Sequence, residues 1–147
     1  MGKRPSYAWP GSIPERLRFE RGARTDFPTL TGRPVRRSGR GGFTYTVTVE
    51  VPFYEQRAVT IHFPNRSTTP FVRVDGPGES PHRYGDNTLC MWYLRDPDDK
   101  KWVFADGLRD LLHAIVAYLW REAWWRETGE WLGDEVPHVP RRQEGVA

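Results

Sequence analysis

The chain of 147 residues contains a single cysteine, Cys90, with His82 eight positions before it. A solitary thiol cannot close an internal disulfide, and one sulfur with scattered histidines makes a poor zinc site, because structural zinc usually takes four Cys or His ligands at short spacings. Two interpretations of Cys90 remain: a nucleophile that reacts as the thiolate, or a small buried hydrophobic side chain. No metal or bound cofactor is expected.

The residues before the cysteine favour the nucleophile. Residues 81–88 form a polar, turn-rich stretch that leads directly into Cys90, and loops on a rigid scaffold are where reactive groups are displayed. A reactive thiolate needs exposure and positive charge nearby. We therefore expect the Cys90 sulfur to be open to solvent, with His82, Arg83 and Arg95 supplying the charge.

Residues 80–91 resemble the active-site segment of ubiquitin-conjugating enzymes, in which His-Pro-Asn is followed, after seven residues, by a cysteine between two apolar residues. Laid without gaps on this chain, the pattern puts Pro81 on the proline, His82 on the asparagine and Cys90 on the cysteine. Ser80 stands where the family has its first histidine. Histidine in place of the asparagine resembles bacterial relatives of these enzymes, including the stand-alone ones of CBASS antiphage operons, beside a cGAS-like nucleotidyltransferase.

The resemblance implies a thioester-forming acyltransferase that acts in bacterial antiphage defence. Cys90 would carry the C-terminus of a protein, for which a cGAS-like nucleotidyltransferase is the expected donor, and would pass it to an amine. His82 would stabilise the oxyanion, orient the incoming lysine, act as a base or support the loop. Tyr84, Asn87 and His138 are the expected supporting residues. The chain has no P-loop, so ATP would be consumed by a separate activating enzyme.

Three other functions fit the same residues. The first is an inert binding module of the same fold, in which Cys90 is buried. The second is a thiol hydrolase that pairs Cys90 with His82 or His138. The third is a nucleic-acid binder built on the arginines of residues 33–40. No recognition helix or zinc-finger spacing accompanies those arginines, so nucleic acid is not the expected partner.

Alternating apolar residues predict the strands that lead up to the cysteine loop. The period of two is clearest over residues 43–51 and returns over residues 59–63 and 71–74. A further strand near residues 30–37 is confined to an edge or a bulge by Pro34. Short turns between these segments predict an antiparallel four-stranded meander with one face available to a helix.

Apolar residues at spacings of three and four predict a long C-terminal helix that packs on this sheet. Asp106 is the expected N-cap, the helix runs to about residue 127, and Gly129 ends it. His113 falls off the apolar stripe and is expected to be exposed. Trp124 and Trp125 are expected to continue the core.

Length, composition and charge indicate one α+β domain over residues 1–147 with the fold of ubiquitin-conjugating enzymes. Residues 1–29 form a proline- and arginine-rich N-terminal segment with room for one short helix near residues 15–22, and residues 141–147 form a flexible tail. The net charge is +3 and the mean hydropathy is −0.71. No apolar run is long enough for a membrane span or a signal peptide, so a cytoplasmic protein is expected.

Overall fold

The structure, a computed structural model, describes residues 9–37, 40–92 and 96–133, apart from the side chains of residues 36, 37 and 40. Four strands form one antiparallel sheet: β1 (Thr31–Arg37), β2 (Arg40–Val49), β3 (Arg57–Pro64) and β4 (Phe71–Val74). Their order in the sheet is their order in the chain. The predicted antiparallel meander is therefore confirmed, with β1 and β4 at the two edges.

The alternation of β2 and β3 puts one face of the sheet in the core. Phe43 pairs with Phe63 and Tyr45 pairs with Ile61, and all four side chains are buried. Threonines alternate with them along β2 on the opposite face, as the period of two requires.

His62 lies on that opposite face of β3, where the alternation of the strand predicts a solvated side chain. It is instead half-buried, and its Nδ1 lies 2.9 Å from Thr44 Oγ1. Burial lowers the pKa of His62. The residue is thus part of the sheet surface, with no group near it that indicates chemistry.

The long helix α3 (Gly107–Thr128) covers the inner face of the sheet over 22 residues, or about 33 Å at 1.5 Å per residue. Its apolar stripe is buried, at Leu108, Leu111, Leu112, Ile115 and Leu119. Asp106 occupies the N-cap position, although its carboxylate accepts from Val103 N rather than from the helix. Gly129 ends the helix in the left-handed conformation, with φ of 79°. Trp124 and Trp125 are half-buried at its end.

The N-terminal segment contributes more to the core than its composition predicts. Trp9 is buried, and its ring stacks on Phe63 and Phe43 at centroid distances of 4.6 and 5.3 Å. Its indole N–H donates to Ser67 O at 2.6 Å. Trp9 therefore fastens the start of the described chain to the inner face of the sheet.

Two short helices follow Trp9 where one was predicted. Helix α1 (Ile13–Phe19) begins at Ser12, whose Oγ accepts from Glu15 N at 3.2 Å. Helix α2 (Ala23–Asp26) is one turn long. The left-handed Gly22, with φ of 75°, separates the two helices.

Asp26 ties α2 to α3 at the surface. Its Oδ2 accepts from Arg109 Nε at 2.6 Å and lies 2.8 Å from His113 Nε2. His113 is exposed, as predicted. These two hydrogen bonds, first the one from His113, lower the pKa of Asp26.

Within the described ranges, no helix is both long enough and apolar enough to cross a membrane. In the same ranges, no three His, Cys, Asp or Glu side chains come together in a way that could hold a metal ion.

Candidate active site around Cys90

The segment that carries Cys90 is a tight antiparallel hairpin attached to the β4 edge of the sheet. Arg83 and Leu89 are paired across it. Tyr84 N donates to Thr88 O at 3.0 Å, and Leu89 N donates to Val72 O of β4 at 2.9 Å. The hairpin therefore extends the meander and has a fixed position relative to the sheet.

The turn of the hairpin explains how eight residues of sequence separation become a close approach. Asn87 N donates to Tyr84 O at 2.8 Å, and Asn87 is left-handed with φ of 67°. A type I turn followed by a left-handed residue is a common three-residue hairpin connection, and Asn tolerates that conformation better than most residues. Asp86 Oδ1 accepts from Thr88 N and Oγ1 at 3.1 and 2.6 Å, which lowers the pKa of Asp86.

His82 and Cys90 are directly opposite each other in this hairpin. The register follows from the Arg83–Leu89 pair, and Cys90 N donates to His82 O at 3.3 Å. Side chains of directly opposite residues lie on the same face, with Cβ atoms about 4.5–5.5 Å apart. The structure thus brings together the two residues that the sequence analysis singled out.

Tyr118 of α3 holds the same pair from behind. Its buried hydroxyl donates a short hydrogen bond to His82 O, and His82 N donates to Ser80 Oγ at 3.1 Å. Burial raises the pKa of Tyr118, and the charges of Glu122 and Cys90 raise it further.

The Cys90 sulfur is not open to solvent, and that prediction was wrong. Cys90 is 1% exposed and His82 is 7% exposed. The Trp131 ring, from the segment after α3, packs at 64° to the His82 ring with centroids 4.5 Å apart, and lies 5.6 Å from the Tyr118 ring. The Cys90 side chain is therefore buried, and Trp131 packs on the His82 ring directly across the hairpin from it.

Arg83, which was expected to supply positive charge to the sulfur, is bound to a carboxylate of α3. Its Nε and Nη2 donate to the two carboxylate oxygens of Glu122 at 2.8 and 2.6 Å. The side chains of Arg83 and Glu122 are 5% and 0% exposed. Neighbouring residues of a strand point to opposite faces, so Arg83 points away from the face that carries His82 and Cys90.

Asn87 and Tyr84 lie at the turn of the hairpin. The Asn87 side-chain oxygen accepts from Arg83 Nη1 at 3.2 Å. Tyr84 is half-buried and lines a cavity of about 430 Å³ between the hairpin and β4, together with Phe71 and Trp92.

The remaining residues predicted for the site are outside the described part of the chain. These are His138, expected to fold back toward Cys90, and Arg95, expected to supply charge. Trp131, from the segment after α3, packs on the His82 ring. A tryptophan shortly after a predicted helix was the only signal for it, because no spacing rule connects residue 131 with residue 82.

The fold and site define an α+β protein with one thiol, a histidine across the hairpin from that thiol, and a long helix behind both. The family model for Type II CBASS E2 proteins matches residues 24–139, and the chain belongs to that family. The resemblance to the bacterial relatives of ubiquitin-conjugating enzymes is thereby confirmed. No curated protein and no solved structure matches the chain significantly.

Proposed function

We propose that this protein carries the C-terminus of a second protein as a thioester on Cys90 and transfers it to an amine. The observation that carries the proposal is the direct pairing of Cys90 with His82 in a member of the Type II CBASS E2 family. The order of elements supports an E2-like fold. A four-stranded antiparallel meander leads into the cysteine segment, and a helix follows it.

The reaction has two acyl-transfer steps. The Cys90 thiolate attacks the carbonyl carbon of an activated C-terminus, the C–S bond forms, and the bond to the leaving adenylate or upstream thiol breaks. An amine then attacks the same carbon, the amide C–N bond forms, and the C–S bond breaks to return the thiolate. The proton that the amine loses goes to solvent or to the neutral His82 imidazole.

His82 is proposed to act on the oxyanion of both tetrahedral intermediates. A ring N–H that donates to that oxygen stabilises charge that develops only in the transition state, and removing one such donor typically costs about 10²–10³ in rate. The hydrogen bonds from Cys90 N and Tyr118 Oη to His82 O fix the backbone that carries the ring. The donor is therefore held in place before the substrate arrives.

A sulfur that is 1% exposed cannot meet an acyl donor unless its cover moves. Trp131 is the element that can move, because it lies beyond the end of α3 and its ring contacts His82 and Tyr118 without being fully buried itself. A minor state a few kcal/mol above the closed one is populated at about 0.1–10%. Transfer would proceed from that open state.

The expected donor is the C-terminus of a cGAS-like nucleotidyltransferase, by the family to which the chain belongs. A separate activating enzyme would supply the adenylate or the upstream thioester. The seven-residue helix α1 gives such an enzyme less surface than the long first helix of conventional ubiquitin-conjugating enzymes.

The test mixes the protein with the nucleotidyltransferase and other proteins encoded beside it, with ATP, and examines the products on a non-reducing gel. We expect an adduct that added thiol removes, its absence with Cys90→Ala, and a thiol-resistant isopeptide with Cys90→Lys. Release of the free acid without any amine product would indicate the hydrolase instead. Absence of both adducts, with folded variants and intact ATP turnover, would refute the proposal.

An inert binding module is the second candidate, and the burial of Cys90 favours it. Free cysteine is among the residue types most often buried for packing alone. This function predicts that Cys90→Ala binds the nucleotidyltransferase like the wild type and protects against phage equally well. Conjugation predicts that the same variant still binds but no longer protects.

A further inference from the structure

A cavity of about 610 Å³ lies between the β2–β3 turn and the last turns of α3, on a part of the molecule that the proposed chemistry does not use. Val51, Leu119 and Ala123 give it an apolar wall, and Arg57 and Arg126 also line it. Its volume is in the range of ligand-binding sites, which commonly combine apolar walls with a few polar groups.

The two arginines have donors to spare. Arg57 Nε donates to Asp75 O at 2.9 Å and its Nη2 to Pro77 O at 3.2 Å. Arg126 Nη1 donates to Glu79 O at 3.0 Å. Among the described residues, nothing accepts from Arg57 Nη1 or from Arg126 Nε and Nη2.

Glu55 and Glu127 also line the cavity, but neither forms an ion pair with Arg57 or Arg126 among the described residues. The nearest carboxylate to Arg126 is Glu122, at 3.8 Å, and Glu122 already binds Arg83 through both oxygens. Within the described residues, the carboxylate at ion-pair distance from Arg57 is the exposed Asp75, at 3.5 Å. The side chains of Arg57 and Arg126 are 8% and 18% exposed, and burying charge without a close partner is costly. Burial lowers the pKa of Arg57, and the positive charge of Arg126 lowers it further.

Phe53 stands at the rim of this cavity and is 99% exposed. Its φ of 68° is in the left-handed region. This conformation is uncommon for bulky residues and costs of order 1–3 kcal/mol. The turn therefore holds a large aromatic ring fully in water, beside an apolar wall. An aromatic in this position offers contact area beyond the cavity itself.

We propose that this cavity binds a segment of a partner protein in which a carboxylate stands beside an apolar side chain. The carboxylate takes the spare donors of Arg57 and Arg126, and the apolar side chain packs between Leu119 and Phe53. The exposed ring of Phe53 gives a contact area larger than a small molecule would cover. Glu55 and Glu127 at the rim disfavour a polyanion such as nucleic acid. The site is independent of Cys90, so this inference goes beyond the proposed conjugation and does not depend on it.

The test uses the full chain labelled with ¹⁵N and three probes: acetyl-Leu-Glu-Leu-amide, acetyl-Leu-Gln-Leu-amide and acetyl-leucine. We expect the glutamate peptide to shift the side-chain Nε–Hε resonances of Arg57 and Arg126 saturably in the millimolar range. The glutamine peptide should bind about tenfold more weakly, because a hydrogen bond to a charged group contributes about 1.5–3 kcal/mol.

Variants separate the contributions. Arg126→Gln should weaken the glutamate peptide about tenfold, whereas Arg121→Gln on the same helix, outside this cavity, should leave it unchanged. Phe53→Ser should weaken the peptide but not acetyl-leucine, and Cys90→Ala should bind like the wild type. Equal shifts with both peptides, no saturable shift, or equal losses in the two arginine variants would overturn the proposal. Acetyl-leucine binding as tightly as the peptide would identify a small carboxylate as the ligand and overturn the protein partner.

Discussion

The Trp131 ring packs against the His82 ring with centroids 4.5 Å apart, and this contact lies over the face of the hairpin that carries Cys90. We expect Trp131→Ala to raise the rate of Cys90 alkylation by a maleimide about tenfold or more, because a closing free energy of 1.4 kcal/mol corresponds to a factor of ten. The rate is measured by mass spectrometry on the folded protein.

Trp124→Ala is the matched control for that experiment. Trp124 stacks on Trp120 at 5.7 Å and has no ring contact with His82 among the described residues, so its removal should leave the alkylation rate unchanged. Equal acceleration in both variants would mean that general loosening, and not the Trp131 cover, limits access to the thiol.

His82 can be tested against the asparagine that ubiquitin-conjugating enzymes have at this place. If the ring donates to an oxyanion, His82→Ala should lower the rate of acyl transfer about 10²–10³-fold. His82→Asn should retain most of the rate, because its amide N–H can replace the ring N–H. Single-turnover transfer from the Cys90 thioester to lysine measures this step apart from loading.

His113→Ala is the control, since His113 is exposed and pairs with Asp26 of α2. Thermal melts of all three variants separate a folding defect from a chemical one. A transfer rate for His82→Ala equal to that of the wild type would show that His82 does not take part in the chemistry and serves only in packing.

The ion pair between Arg83 and Glu122 should matter more for stability than any surface pair. Arg83→Met leaves the fully buried Glu122 with only the longer contact from Arg126, and breaking one partner of a buried pair costs about 3–5 kcal/mol of the free energy of unfolding. The double variant Arg83→Met/Glu122→Met should recover most of that loss. Urea unfolding curves give all three values.

Arg109→Met provides the comparison for an exposed pair. Arg109 is 55% exposed and bonded to Asp26, so its loss should change the free energy of unfolding by less than about 1 kcal/mol. A loss in Arg83→Met no larger than this would mean that water reaches Glu122 once the arginine is removed.

The Asp26 carboxylate should make the free energy of unfolding depend on pH. The hydrogen bonds from His113 and then Arg109 lower its pKa, so the folded-state value lies below the unfolded value of about 3.9. Its contribution is therefore complete above that unfolded value and is lost as the pH falls through the folded-state pKa.

The wild type should accordingly be more stable than Asp26→Asn at about pH 6, and the difference should disappear as the pH is lowered below about 3.9. Urea unfolding at a series of pH values measures it, with Asp99→Asn in an exposed turn as the control. A difference that stays constant down to acid pH would show that the carboxylate stabilises the fold by some means other than its charge.

The strands, the long helix and the cysteine turn could be predicted from local patterns. The alternation of residues 43–51 is enough to predict β2. The position of Gly129 at the end of an apolar stripe is enough to predict the end of the helix. The pairing of His82 with Cys90 was accessible for the same reason, because turn residues between them indicate a reversal. The family match over residues 24–139 agrees with that local pattern.

Exposure and charge at the site could not be predicted in this way. A polar loop indicated an open thiol, yet Cys90 is buried. The His82 residue across the hairpin from it is contacted by Trp131 from beyond α3 and by Tyr118 from within α3. Arg83 was expected to stabilise the thiolate, but its guanidinium binds Glu122, which is 39 residues away in the sequence.

Sequence alone determined the elements of this protein, their order, and the residues of the hairpin, since each follows from side-chain period, turn chemistry or spacing within a few residues. Only the tertiary structure decided how the hairpin meets the helix, whether the sulfur is exposed, and which carboxylate neutralises Arg83. Those outcomes depend on contacts between residues distant in the chain. Burial raises the free-energy cost of an unpaired charge and blocks access to a thiol, and neighbours in sequence do not determine burial.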